Sequence, residues 1–284
     1  MIKKLVLPLL LCLLLTGCTV SMLQDNNTTS NISETSTEDE TEETESTEPT
    51  AKPVISLDSL SAQKVIWGPG KIENHQQPTE PLNLQKKYEA LDALWLLPEE
   101  KSICLTFDEG YENGFTPSIL DTLKEKNVKA VFFVTYDFAR DNGDLIERMI
   151  AEGHTVGNHS YHHYSMDELD TDTAKEEVLF LHRYLEENFH YTMRYFRFPK
   201  GEFSEKTLAI LQELNYQSVF WSYAYADWDV NAQQEPDKAF AAICEATHPG
   251  EIMLLHAVSE TNAAILGKVI DDVRQQGYEF TDSL

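Results

Sequence analysis

The stretch HSYHH, His159 to His163, sets three histidines within five residues, straight after the short apolar run HTVGN. His159 and His163 are four apart, a spacing that on a helical turn brings both imidazoles to one side and within reach of one ion. His162 is out of phase with them, and a solvated histidine-rich loop is the competing reading of the pair alone. Upstream, TFDEG (Thr106 to Gly110) ends an apolar run with two adjacent carboxylates and a glycine that permits a sharp turn. Adjacent acids at a strand end are often only a solvated turn. As chemistry they could divide labour, one binding a metal with the two histidines and the other staying free as a general base. Two histidines and one carboxylate form a catalytic zinc set that leaves a position open for water and substrate.

The elements that must position these groups alternate in type. SICLTF, KAVFFV, HTVGN, RYFRF, YQSVFW and IMLLH are short runs rich in β-branched, aromatic and aliphatic residues, and read as strands. Between them lie segments of helical period. In TPSILDTLKEKN, Ile119, Leu120 and Leu123 share a face, and in GDLIERMIAEG, Leu145, Ile146, Met149 and Ile150 do. Strand and helix in alternation imply right-handed crossovers and a mainly parallel sheet, doubly wound or closed into a barrel. No glycine-rich phosphate loop follows the first strand. Instead Asp108, His159, Arg197 and His256 follow the C-terminal ends of different strands, where parallel α/β folds build their sites, and that spread favours a barrel around one pocket.

The N-terminus has another purpose. Lys3 and Lys4 precede a leucine-rich run to Leu15 that is short for a membrane span, and LTGC then resembles a bacterial lipobox, in which Cys18 would be acylated. A plain signal peptide is the alternative. Residues 1–18 are therefore read as a lipoprotein signal, 19–60 as a disordered acidic Ser/Thr/Glu tether, and 61–284 as the working domain. The formal net charge of −26 argues against nucleic acid as a partner. Cys104 and Cys244 read as buried free thiols.

With RFPKG (Arg197 to Gly201) and LLH (Leu254 to His256), the motifs TFDEG and HSYHH resemble, in order and approximate spacing, those of the polysaccharide deacetylase family, the NodB-homology or carbohydrate esterase 4 enzymes. The resemblance runs from about Trp67 to the C-terminus. TFDEGYENG, GNHSYHH, VFWSYAYADW and LLHAVSETNA are similar to its delta-lactam branch, which acts on muramic acid of peptidoglycan during spore cortex formation. The fold this implies is α/β, a distorted (β/α) barrel with about seven parallel strands.

Residue by residue, the resemblance implies Asp108 as catalytic base, oriented by Arg197. Glu109, His159 and His163 would hold a divalent metal, zinc in the first place, with cobalt or another divalent ion as alternatives. The backbone N–H of Lys200 would be an oxyanion donor, and His256 the general acid, tuned by Asp227. Trp228 and Leu254 would wall the acetyl pocket. Two departures stand out: Glu109 replaces the family's usual aspartate, and Ala224 replaces the first aspartate of its fourth motif. The implied activity is metal-dependent removal of the N-acetyl group of N-acetylmuramic acid in peptidoglycan strands, by an exported enzyme anchored through lipid to the outer face of a membrane. The alternatives are an N-acetylglucosamine deacetylase or O-acetyl esterase, and a non-catalytic glycan-binding lipoprotein.

Overall fold

The computed structural model describes residues 56–284. The expected signal, Cys18 and most of the acidic tether lie outside the described residues. The strands are β1 (Val65–Ile66), β2 (Ala93–Leu94), β3 (Ser102–Glu109), β4 (Val131–Val134), β5 (Thr155–Asn158), β6 (Tyr195–Phe196), β7 (Glu202–Phe203), β8 (Gln217–Val219), β9 (Tyr223–Ala224), β10 (Glu251–His256) and β11 (Glu279–Phe280). The α-helices are α1 (Thr79–Lys87), α2 (Thr116–Lys126), α3 (Tyr136–Asp141), α4 (Gly143–Ala151), α5 (Thr171–Phe189), α6 (Glu205–Glu213), α7 (Pro236–Ala246) and α8 (Glu260–Gln275).

Nine of the strands form one sheet in the order β2-β8-β6-β5-β4-β3-β10-β9, with β11 added on β3, and its pairings are parallel. β1 and β7 make a separate antiparallel ribbon. Among the described residues β2 and β9 are not paired to each other, so the sheet curls into a half-barrel and stays open. The count exceeds the anticipated seven because β2, β9 and β11 have two residues each, too few to form a recognisable run. Strands buried on both faces, as β3 and β4 are, need continuous apolar sequence, which SICLTF and VFFV supply. Helix α2 buries Ile119, Leu120 and Leu123, and α4 buries Leu145, Ile146 and Met149, the faces their spacing prescribes.

One layer of register partners runs across four strands: His256 opposite Asp108, Asp108 opposite Phe133, and Phe133 opposite Gly157. The last of these steps is a necessity of packing. A Cβ on Gly157 would lie 2.5 Å from the fully buried Phe133 ring, so only glycine leaves that ring its place. The ring in turn lies 4.1 Å below the guanidinium of Arg197, which leaves the end of β6 and enters the barrel above it.

Cys104 and Cys244 are free thiols; Cys104 is buried in β3, but Cys244 on α7 is partly exposed rather than buried. Among the described residues no helix is long and apolar enough to cross a membrane.

Gly157→Ala is expected to overpack the barrel and destabilise the protein by about 1–3 kcal/mol. Urea unfolding followed by circular dichroism measures this, and an unchanged midpoint would show that Phe133 can move aside.

Candidate active site

At the C-terminal end of the sheet a cavity of about 890 Å³ is lined by Asp108, His159, His163, Lys200, Trp228, Leu254 and His256, with Ala224 beside them. Arg197 and Asp227 lie buried behind this wall. The guanidinium of Arg197 donates from Nη1 to Asp108 Oδ1 at 2.8 Å and Thr106 Oγ1 at 2.7 Å, and from Nε and Nη2 to the carbonyls of Val219 and Phe220, both at 3.1 Å. Burial disfavours charge on Asp108, but Arg197, followed by His159 and His256, outweighs it and holds the carboxyl below the usual carboxylate range. Asp108 is therefore an anion at neutral pH, with Oδ1 tied to Arg197 and Oδ2 3.5 Å from His159 Nε2.

His256, on neighbouring β10, is arranged for the opposite charge. Its backbone N–H and its Nδ1 both donate to the carboxylate of Asp227, at 2.8 and 2.7 Å. Burial works against the imidazolium, yet the bond to Asp227 prevails and raises its pKa above 6.5. With Nδ1 engaged, Nε2 is the nitrogen left for the cavity. Asp227 is itself fixed by Asn262 Nδ2 at 2.6 Å, which also donates to the carbonyl of His256 at 3.1 Å. Asn262 reaches both because Ser259 caps α8 and accepts its N–H at 3.1 Å, while Tyr225 donates to its Oδ1.

The two histidines of HSYHH do converge, though not on a helical turn. Ser160 and His163 take left-handed backbone angles, φ 73° and 60°, and Ser160 Oγ accepts the N–H of His163 at 2.9 Å, closing a loop. His159 Nδ1 donates to the carbonyl of Arg197 at 2.9 Å, leaving its Nε2 lone pair 3.2 Å from His163 Nε2. Burial above all lowers both pKa values, that of His163 to about 3, so both rings are neutral. Two neutral imidazole nitrogens facing each other at that distance, one oriented from behind by a carbonyl, are the donor chemistry a divalent ion takes.

Glu109, expected beside them, does not line the cavity in this structure. Successive residues of a strand face opposite sides, so where Asp108 enters the cavity Glu109 points away. It is wholly buried, with its oxygens 3.4 and 3.5 Å from Thr116 Oγ1. Burial, then Glu112, pushes its pKa well above 4.5. Among the described residues no group of three or more His, Cys, Asp or Glu gathers to hold an ion. The residues fit a divalent ion at the imidazole pair, not at a three-ligand site with Glu109.

Two features escape the sequence reading. Asn262 stands 35 positions from the carboxylate it holds, and its one local signal is the Ser259 cap three residues ahead. His162 repeats the clamp of His256: its N–H and Nδ1 go to buried Glu177 at 2.8 and 2.6 Å, across 15 positions without a pattern. Trp221 is buried but also lines the cavity.

A half-barrel with an arginine-bound carboxylate and a carboxylate-bound histidine over one pocket has the parts of an acid–base hydrolase. The chain belongs to the polysaccharide deacetylase family, hydrolases acting on amide bonds, and the profile described as polysaccharide deacetylase matches residues 97–219. Over 228 residues it is 41% identical to the peptidoglycan-N-acetylmuramic acid deacetylase PdaA of Bacillus subtilis, covering 78% of this chain and 86% of that one. The solved structure of Bacillus subtilis PdaA, a family 4 carbohydrate esterase, aligns with a TM-score of 0.75 at 40% identity, over 78% of this chain and 96% of that chain. A family 4 carbohydrate esterase from Bacillus anthracis aligns with a TM-score of 0.64 at 38% identity, over 78% of this chain and 95% of that chain.

Asp227→Asn removes the force that raises His256 and leaves the burial that lowers it. In an NMR titration the ring of His256 should lose its proton above pH 6.5 in the wild type and below it in the variant. A histidine raised in the fold stabilises it below the unfolded pKa, and that contribution is lost as pH rises through the folded value. The variant's loss of stability should accordingly be larger at about pH 5 than at about pH 9.

Proposed function

We propose that this deacetylase removes the N-acetyl group of N-acetylmuramic acid residues in peptidoglycan, releasing acetate and a free amine. The observation that carries the mechanism is that Asp108 and His256 are register partners on adjacent strands whose pKa values are pushed in opposite directions, each by its own buried partner. Pairs of titratable groups pushed apart in this way make acid and base assignments. The substrate follows from the likeness to a peptidoglycan-N-acetylmuramic acid deacetylase.

An amide is a poor electrophile with a poor leaving group, so hydrolysis requires an activated water, a stabilised oxyanion and a protonated amine. Asp108, anionic and held through one oxygen by Arg197, takes a proton from the attacking water with the other. The backbone N–H of Lys200 donates to the developing oxyanion. His256, cationic on Asp227, gives its Nε2 proton to the departing nitrogen. Trp228 and Leu254 wall the acetyl group. Lewis-acid polarisation of the acetyl carbonyl is what a divalent ion held by His159 and His163 supplies when bound, zinc being the first choice for such imidazole donors.

Export and lipid attachment at Cys18 belong to the same reading, supported by the sequence of residues 1–18 and by the extracytoplasmic position of peptidoglycan. A part in delta-lactam formation in spore cortex is supported by the resemblance to that branch.

Mass spectrometry of peptidoglycan treated with the protein is the direct test. Loss of acetyl from muramic acid, stopped by a chelator and restored by zinc, is the expected result. Loss from glucosamine alone would reassign the sugar, and activity indifferent to chelation would remove the metal. Asp108→Asn should lower turnover by about 10²–10⁴-fold with the fold retained; unimpaired turnover would overturn the assignment of the base.

A further inference from the structure

The turn that carries the Lys200 N–H is held in an unfavourable shape. Lys200 has φ 60° and ψ 5°, and Gly201 follows at φ 68°, so two left-handed residues stand in succession. Glycine is free of strain there but lysine is not, and such a conformation persists only where the surroundings over-determine it. On its N-terminal side the turn is anchored by the buried Arg197, three residues ahead. On its C-terminal side it runs straight into β7, whose one partner strand among the described residues is β1.

Residues 61–69, which include β1, form a strap beside this turn. The Trp67 N–H donates to the carbonyl of Gly201 at 2.9 Å, and its indole N–H to the carbonyl of Trp221 at 3.0 Å. The approach is so close that a Cβ on Gly201 would lie 2.8 Å from the Trp67 carbonyl oxygen. Trp67, Gly68 and Pro69 line the cavity together with Lys200. A ribbon of two residues per strand is too short to hold itself, because so few backbone bonds do not offset the ordering of the chain. What ties it down is Lys64, the one charged residue of the strap. Its ammonium reaches Glu168 at 2.7 Å, Glu202 at 3.1 Å and Asp167 at 3.5 Å. Glu202 is the residue directly after the turn, and it also accepts from Ser165 Oγ, two positions beyond His163. One lysine thus joins the exit of the turn to the exit of the histidine loop, and it is not itself among the residues lining the cavity.

We propose that Lys64 is a positioning residue for the reaction: by clamping the strap to Glu202 it holds the Lys200 N–H where the oxyanion develops. This rests on the assignment of that N–H as an oxyanion donor and adds what keeps it in place. A donor aimed at the oxyanion acts in the transition state and not on bound substrate, so its misplacement lowers kcat and leaves KM.

The Lys64 side chain is 30% exposed, so Lys64→Met, which keeps the aliphatic stem, should fold with a near wild-type melting temperature. Its kcat for acetate release from peptidoglycan should fall about tenfold to a hundredfold, with KM held within about twofold. Lys64→Arg should restore kcat. Hydrogen exchange at the Trp67 N–H should quicken in Lys64→Met and not in Lys64→Arg. An ester in place of the amide at position 200, introduced as the α-hydroxy analogue of lysine, deletes the N–H and should alone cost about 10²–10³-fold in kcat. Because the strap acts through that N–H, Lys64→Met should add nothing further in the ester background. An unchanged kcat in Lys64→Met, a fall matched by a rise in KM, or a loss that multiplies with that of the ester overturns the positioning role and leaves the oxyanion assignment standing. Wild-type kcat in the ester variant overturns that assignment and this inference with it.

Discussion

A guanidinium wholly out of water is the constraint around which the rest of the site is arranged. Burying an isolated charge costs many kcal/mol, and the cost is tolerable only where every donor is met and a counter-charge is close. Arg197 meets it with one carboxylate, one hydroxyl, two carbonyls and an aromatic face. Those partners come from β3, β4 and β8 and the segment just after it, so satisfying the charge also pins the strands to one another. The same residue's carbonyl holds His159. Asp108 and His159 are therefore both held from a single position at the end of β6.

Against that anion-holding wall stands a second one made for a cation. Asp227 gives one oxygen to the ring of His256 and the other to its backbone, while Asn262 closes the remaining side. The His162 and Glu177 pair uses the same device on the opposite flank. Imidazoles held at both backbone and ring cannot rotate, which removes the rotamer search from each turnover. The cavity thus has rigid reactive groups in its floor and exposed rings such as Trp228 and Tyr111 at its rim.

The sequence makes some of this legible. Runs of four or more apolar residues announce β4 and β10, a shorter run announces β3, and helical spacing gives the buried faces of α2 and α4, because those signals are local. Polar residues at the ends of such runs lead to Asp108 and His256. Pairing is not local, so β2, β9 and β11 leave no trace in their own two residues. Asn262 and Glu177 act on partners across the fold, and nothing in their neighbourhoods declares it. Glu109 is different in kind: the alternation of a strand, itself legible in the sequence, sets it on the other side from Asp108, where it is buried beside Thr116.

The pairing of His256 with Asp108 across β10 and β3 has a further meaning. Hydrogen-bonded strands lie about 4.8 Å apart whatever their side chains, because backbone chemistry sets the interval. The sheet is a ruler, and the two groups sit on adjacent graduations of it. No drift in loop length or rim composition can change that interval, so the spacing of the two groups is inherited from the peptide backbone itself. What is free to vary is the rim: its side chains can diverge by mutation while the spacing of the carboxylate and the imidazole beneath it stays constant.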